Sequence, residues 1–311
     1  MFTKKTSLII PTKDRAHKLG SLLIFLKRLK IKFNEIIIVD SSNIEEANKI
    51  KKFLSRNNLK KIHIYKSHPS SSFQRNLGLK KVASSSKFVM FMDDDVKFYK
   101  NSFIEMNKAI NRLNFNKKII GFGFNLINKN EKNNFLNYKN NIIINKLGLY
   151  SREPGVVMPN GWHTKLNNLK KDTMVEWIFT GATIFKLKSI KNFNFDESFG
   201  QYSYLEDLDF SLSLTGKKKK LIIISKARFK DPHVVDRNNI EFGVMEIRNR
   251  FIIINKHKLS KILFIISSLV RFNLSILEFF KGNYNFFLRA IGNLLSIVYI
   301  VKFLINKLVN K

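Results

Sequence analysis

Two acidic clusters hold the side chains best suited to chemistry. Met92-Asp93-Asp94-Asp95-Val96 sets three consecutive carboxylates directly after an apolar run, Phe88–Met92. Carboxylates this crowded repel one another unless something cationic compensates. Oxygen-only ligands at a strand end suit Mg2+ or Mn2+, which one or two carboxylates hold and phosphate oxygens complete. A solvated acidic turn or a helix N-cap is the plainer alternative. The second cluster is Tyr204-Leu205-Glu206-Asp207-Leu208-Asp209-Phe210. On a helix Glu206 and Asp209 share a face, and Asp207 points about 100° away. Acidic residues also suit a first helical turn on dipole grounds alone. The functional reading is a general base that deprotonates a hydroxyl. Asp40, after Glu35–Val39, could accept hydrogen bonds from a base or ribose, or simply cap the next helix. Pro11-Thr12 could offer backbone groups to a ligand. Of six histidines, His233 in Asp231-Pro232-His233 is the one placed to be a metal ligand.

The elements that must position these residues follow from hydrophobic periodicity. Strands are expected at Ser7–Ile10 (stopped by Pro11), Glu35–Val39, Lys61–Tyr65 and Phe88–Met92. Helices are expected at Leu19–Ile31, Ile44–Leu54 and Phe73–Ala83. Continuous apolar strands alternating with helices predict a parallel sheet covered on both faces. Ligands of such sheets bind beyond the carboxyl ends of the strands, which is where Pro11–Arg15, Asp40–Asn43, Ser67–Ser72 and Asp93–Asp95 fall. Farther on, the spacing predicts a helix over 101–113, a strand over Lys118–Ile127, and loops with short strands over 128–172. It then predicts an interrupted strand over Val175–Lys186, a helix over Tyr204–Thr215 closed by Gly216, and a strand over Lys220–Ser225.

In order, the motifs SLIIPTKDR, IIIVDSS, FQRNLGLKKV, KFVMFMDDDV, FTGATIF and FNFDESFG…YLEDLDFSLSL resemble those of the family 2 glycosyltransferases with the GT-A fold, over about residues 6–235. Arg248-Asn249-Arg250-Phe251…Lys256-His257 is similar to the end of the family's bacterial surface-polysaccharide members. The resemblance implies a Rossmann-like, mixed but mainly parallel sheet flanked by helices, and inverting transfer of one sugar from a nucleotide-sugar donor to a saccharide or lipid-linked saccharide. It implies that Asp40, Pro11 and Thr12 line the nucleobase pocket, with Arg75 and Asp94 on the nucleotide side. Asp93 and Asp95 would contact ribose and a Mn2+ or Mg2+ ion, with His233 completing the metal site. Gly181 and Ala182 would line the acceptor side. Asp207 would be the catalytic base, helped by Glu206. Two departures stand out: Ser41-Ser42-Asn43 lacks the later aspartate common after Asp40, and the Q-x-x-R-W signature of processive members is absent, which argues for one sugar per acceptor.

Composition sets the outer bounds. The 311 residues carry 56 basic against 23 acidic side chains, a formal net charge of +33, with 44% hydrophobic residues and no cysteine. The apolar fraction excludes wholesale disorder. The absence of cysteine excludes disulfides, thiolate metal sites and a cysteine nucleophile. The positive field would attract nucleotide-sugars and acidic membrane. It is not concentrated in any one element and matches no nucleic-acid-binding signature, so no specific nucleic-acid partner is expected. No secretory signal is read at the start, which gives an expectation of a cytoplasmic chain. The domain expectation is a catalytic domain over 1–235, a connecting helix over 236–258, and C-terminal amphipathic and apolar helices over 259–311. In the first of these, Lys261, Ser268, Arg271, Ser275 and Glu278 share one face and Ile262, Ile265, Ile266, Leu269, Ile276 and Leu277 the other, a pattern that can lie in a membrane interface. Packing on the catalytic domain or a sister subunit is the alternative. Two other function classes remain open: an inactive membrane-associated scaffold of a polysaccharide assembly complex, against which the intact acidic motifs argue, and a nucleotidyltransferase, which should open with a glycine-rich loop where PTKDRAHK has none.

Overall fold

The structure, a computed structural model, describes residues 1–57, 59, 61–127, 144, 146, 148–216, 219–232, 237 and 239–309. They form two compact units, Met1–Asn128 with Leu166–His233, and Lys129–Lys165 with Val234–Lys311. The first is built on a nine-stranded mixed sheet ordered β3-β2-β1-β4-β8-β6-β9-β5, with β7 paired to β9. Its strands are β1 (Thr6–Thr12), β2 (Glu35–Asp40), β3 (Ile62–Lys66), β4 (Phe88–Met92), β5 (Lys97–Phe98), β6 (Ile119–Leu126), β7 (Thr173–Val175), β8 (Ala182–Lys186) and β9 (Lys220–Lys230). The first four lie parallel, joined by α1 (Ala16–Arg28), α2 (Ile44–Arg56) and α3 (Ser71–Lys80). β8 then runs antiparallel against both β4 and β6. Helix α4 (Ser102–Leu113) precedes β6, and the short α5 (Leu187–Ile190) follows β8.

Pro11 does not stop β1. Pro11 and Thr12 continue the pairing with Val39 and Asp40, whereas on the other side β4 reaches only to Ile9. Proline has no N–H for the ladder and is tolerated where one side of the strand is free. The extension carries Thr12 to the end of β2, beside the acidic residues that follow β4.

Two helices matter most for what lies at that edge. α3 packs tightly on β1 because residue 78 is glycine: a Cβ there would meet Ile9 Cγ2 at 2.5 Å. Gln74 Nε2 fixes its height by donating to Thr12 O at 2.9 Å and Val39 O at 2.7 Å. α6 (Glu206–Thr215) rests on an aromatic cluster, in which Phe210 stacks on Phe195 at 3.9 Å and meets Phe91 and Phe185 edge-on. The expected C-cap holds: Gly216 closes α6 with φ 46.

The second unit centres on α7 (Ile240–Lys256), α8 (Lys261–Phe280) and α9 (Asn285–Val309). At its heart Glu246 of α7 accepts from Arg271 of α8 (Nε, 3.4 Å) and from Arg289 of α9 (Nη2, 2.9 Å; Nε, 3.1 Å), all buried. Burial pushes the Glu246 carboxyl up, but Arg271, Arg289 and Arg250 together outweigh it and hold it at about 2. Part of the stretch expected to be loops packs in this unit. Asn160 Nδ2 donates to Ser267 Oγ of α8 at 2.7 Å, and the Arg250 guanidinium lies 4.1 Å over the Trp162 ring. Removing one partner of a buried ion pair leaves an uncompensated charge, which costs about 3–5 kcal/mol. Glu246→Ala is therefore expected to destabilise the second unit by that amount, read as an earlier transition in denaturant melts followed by circular dichroism.

Candidate active site

The carboxyl ends of β1, β2 and β4 meet as expected of a sheet of this class. The loop after β4 turns its three carboxylates in different directions. Asp94 is buried; its Oδ2 accepts from Thr12 Oγ1 at 2.6 Å and its Oδ1 from Arg15 Nη1 at 3.3 Å. Burial pushes Asp94 up to about 6 despite the Thr12 and Arg15 contacts. Asp95 Oδ2 accepts from Arg15 Nη1 and Lys18 Nζ, both at 3.1 Å. Asp93 is the most open of the three, with its side chain 30% exposed. Its amide donates to Gly181 O at 2.9 Å, and its Oδ2 occupies space that a Cβ on residue 181 would fill.

The remaining oxygen of Asp93, Oδ1, accepts from Arg75 Nη2 at 2.8 Å. The other terminal nitrogen of Arg75 pairs with Glu206 Oε1. One guanidinium, buried and seated 5.7 Å over the Phe195 ring, thus joins the two acidic clusters. Burial works against its charge, but Glu206 first, then Asp93 and Asp207, more than restore it. Ser71 and Ser72, in the first turn of α3, also donate to Glu206, Ser72 Oγ at 2.7 Å. Residues 71 and 75 are i and i+4, so one face of α3 supplies a hydroxyl and the guanidinium to the same carboxylate.

Asp207 differs from its neighbour. Half-buried, it makes no ion pair among the described residues, and its Oδ1 accepts from the Leu208 amide at 2.8 Å. Burial, followed by repulsion from Glu206, raises it to about 7, and the charge of Asp93 adds to the rise. The backbone presenting it is unusual. Ser203 and the buried Leu205 both have positive φ, 49 and 73, just before α6 begins. A bulky residue in the left-handed region is an outlier that surrounding packing must enforce.

Placement of the other expected residues varies. Asp40 is buried at the end of β2, where its Oδ1 accepts from the Ser42 amide at 2.8 Å and Lys66 Nζ lies 3.8 Å from Oδ2. Pro11 and Thr12 stand beside it in register. Gly181 abuts Asp93, whereas Ala182 is buried in β8 opposite Met92, within the core. His233 lies outside the described residues. Among the described residues no three His, Cys, Asp or Glu side chains gather as a ready metal cage. The carboxylates of Asp93 and Asp95 are of the chemistry that suits a hard divalent cation, although Arg15 and Lys18 already hold Asp95 Oδ2. Each keeps one oxygen outside the ion pairs, Gly181 leaves room at Asp93, and a Mg2+ or Mn2+ ion routinely takes only one or two protein carboxylates. Arg15, Ser71 and Ser72 fall in segments expected to meet a ligand but carry no assigned role there, and Lys18 lies outside those segments. Their signal in the sequence is helical spacing, 15/18 and 71/75, directly after strand ends.

A sheet of this order with acidic loops after β4 and at the start of α6 defines a GT-A glycosyltransferase fold. The profile described as "Glycosyl transferase family 2" matches residues 7–183, more than half the chain. The chain belongs to that family. No curated protein sequence matches it. Among solved structures, it is similar to Staphylococcus aureus TarS 1-349 at 15% identity, TM-score 0.51, over 84% of this chain and 68% of that one. A mannosyltransferase from Pyrobaculum calidifontis, in complex with GDP-Man and Mn2+, matches at 11% identity and TM-score 0.54, over 81% of this chain and 63% of that one. GalNAc-T7, with UDP, GalNAc and Mn2+, matches at 12% identity and TM-score 0.56, over 81% of this chain and 48% of that one. At these identities the likeness concerns the fold.

Removing Arg75 would leave Asp93 and Glu206 facing each other without a cation. Arg75→Leu is expected to cost about 3–5 kcal/mol, with Arg75→Lys recovering part of it. Denaturant melts of the two variants check this; equal stability of all three proteins would show that Arg75 does not join the clusters.

Proposed function

We propose that this chain is an inverting glycosyltransferase that moves one sugar from a nucleotide-sugar donor to a hydroxyl of a saccharide or lipid-linked saccharide acceptor in cell-surface polysaccharide synthesis. The observation that carries the reading is the Arg75 bridge, which brings the Asp93 loop and the Glu206-Asp207 pair to one polar site. A donor diphosphate and an acceptor hydroxyl need these two kinds of group side by side. The solved structures of similar fold that hold UDP or GDP-Man together with Mn2+ support a donor of the same chemical kind.

In this reading Asp207 is the base. Its raised carboxyl suits proton removal near neutral pH, where a general base gains most. It takes the hydroxyl proton as the acceptor oxygen attacks the anomeric carbon from the face opposite the nucleotide. The C–O bond to the sugar forms as the bond to the diphosphate breaks, inverting the anomeric centre in one displacement. Glu206, locked by Arg75, Ser71 and Ser72, orients the start of α6 and keeps Asp207 half-shielded. Asp40, with Pro11 and Thr12 beside it, receives the nucleoside. Arg15 and Lys18 offer positive charge next to the diphosphate. A Mn2+ or Mg2+ ion bound at Asp93 and Asp95 would supply charge neutralisation for the leaving diphosphate. Electrostatic help of that type is usually the largest catalytic contribution.

Asp207→Asn is expected to cut turnover by at least about 10²–10⁴-fold while donor affinity stays near wild type. A base must lose its proton to act, so the wild-type rate should fall as pH drops below about 7, in line with the raised Asp207 carboxyl. A pH profile flat from neutral to acid, or loss of donor binding in Asp207→Asn, would reassign the residue. For the metal, Asp95→Ala should abolish the Mn2+-dependent part of donor binding in calorimetric titrations. Identical wild-type donor affinity with Mn2+ and with chelator would remove the cation from the scheme.

A further inference from the structure

The helices of the second unit carry their polarity in reverse. α8 buries Phe264 together with Ser267, Ser268, Arg271, Ser275 and Glu278, so five of its six buried side chains are polar. The side that faces outward carries Ile262, Ile266, Leu269, Leu277 and Phe280, with Lys261 at its start and Asn273 as its polar members; Ile262 is 73% exposed and Phe280 76%. α9 follows it in part. Arg289, Asn293 and Ser296 are buried alongside Ala290, Ile297 and Ile300, whereas Phe287, Leu288, Leu294, Leu295, Val298 and Tyr299 face outward. A helix on a water-soluble protein turns its apolar stripe inward and its charges outward. Here the charges lie inside and the apolar stripe outside.

The packing between helices carries the same signature. Gly243 of α7 and Gly292 of α9 meet so closely that a Cβ on residue 292 would collide with the Ile240 carbonyl oxygen, and one on residue 243 with the Arg289 carbonyl oxygen. Across that contact Asn293 Nδ2 donates to Gly243 O at 2.9 Å and Ser296 Oγ to Val244 O at 3.2 Å. Small residues at the crossing and side-chain hydrogen bonds between helices are how helices associate when the surrounding phase is itself apolar and supplies no hydrophobic drive.

We infer that α8 and α9 form a hairpin sunk from one side into the acyl region of an anionic lipid bilayer, with α7 covering its polar face on the water side. This stands on the second unit alone and does not rest on the catalytic reading. Helices of 20 and 25 residues are about 30 and 37 Å long, enough to cross a hydrocarbon core of about 30 Å. Crossing would, however, carry α7 to bilayer depth beside α9, and α7 exposes Glu241 and Arg248. Charges facing lipid at that depth are costly, so an in-plane hairpin with α7 in water is the arrangement that keeps Glu241 and Arg248 out of it. Exposed Lys256, Lys258, Lys261, Lys281 and Lys302 lie on or next to these helices, and the chain's +33 charge favours an anionic surface. The sequence pattern alone suggests an interfacial helix with its polar face in solvent. The structure instead uses that polar face to bind Glu246, so attachment should be hydrophobic insertion rather than surface charge.

Flotation of the full chain with vesicles of phosphatidylcholine and phosphatidylglycerol tests this. The chain is expected to float and to remain bound in about 1 M NaCl, where surface electrostatics are screened within about 3 Å, and to be released by detergent. A triple variant, Leu269→Glu with Leu277→Glu and Leu295→Glu, should lose at least about tenfold in partitioning. Release by salt alone, or a discrete dimer in solution that ignores vesicles, would overturn the inference. A second measurement covers a variant that fails to fold. The chain has no cysteine, so Leu277→Cys and Arg248→Cys can each take a single environment-sensitive dye. On vesicles the dye at 277 should shift to the blue and the dye at 248 should not; equal responses at the two positions would also sink the proposal.

Discussion

The first unit is organised around one buried cation. Bringing Asp93 and Glu206 to the same site places two carboxylates, from segments far apart in the chain, where each would repel the other and where burial already penalises the charge of Glu206. A guanidinium is the side chain that solves this, because its planar fork offers one terminal nitrogen to each acid and stays charged when buried. Arg75 does so from the second turn of α3. Its position is therefore a constraint on everything around it. Gly78 lets α3 sit against Ile9, Gln74 ties the helix to the ends of β1 and β2, and Asn76 Nδ2 donates to Phe195 O at 2.9 Å, beneath the guanidinium. A shift of any of these would move Arg75 and separate the acids.

That arrangement also divides the labour between two adjacent acids. Glu206 receives the cation and the serine hydroxyls, so its charge is compensated and its position fixed. Asp207, one residue later and about 100° around the helix, feels Arg75 only at a distance and feels its neighbour's charge more strongly. Burial raises both carboxylates; what differs is that Glu206 is held in place by Arg75 and two serine hydroxyls, whereas Asp207 lacks those contacts. The positive φ at Leu205 is consistent with this, because it starts α6 abruptly and turns Asp207 where a regular entry would not.

Much of this frame was legible before any coordinates. β4 falls on Phe88–Met92 as expected, and the parallel order of β1 to β4 follows from buried apolar runs separated by helices. Both acidic clusters were legible as candidates for chemistry because they crowd carboxylates beside apolar segments, although capping and the helix dipole offered plainer explanations. Their partners were not. A sequence shows that Arg75 is present but not which acids it will face, since that depends on a pairing across the sheet. Arg15 and Lys18 were hidden in the same way, within a chain so rich in lysine that no single cation stands out. β9 runs to Lys230 rather than Ser225 because Arg228 and Phe229 pair with β6, and Lys97–Phe98 joins the sheet only through β9. Short pairings of that kind leave no periodicity to read.

The C-terminal helices show the same limit in a sharper form. Helical spacing put Ser268, Arg271, Ser275 and Glu278 of α8 on one face, as the structure does, though Lys261 is exposed beside Ile262; spacing is, however, symmetric between inside and outside. What breaks the symmetry is a partner for the polar face, and that partner is Glu246, buried on another helix and paired with an arginine from each of the next two. Once the polar face is consumed by a neutralising network, water no longer has a claim on it, and the apolar stripe is left as the surface. The two units thus handle the same physical problem, a buried carboxylate that needs arginine, with opposite results. In the first, the shared arginine opens a polar site around a free acid. In the second, two arginines close around a single acid, and much of the apolar surface of α8 and α9 is left facing outward.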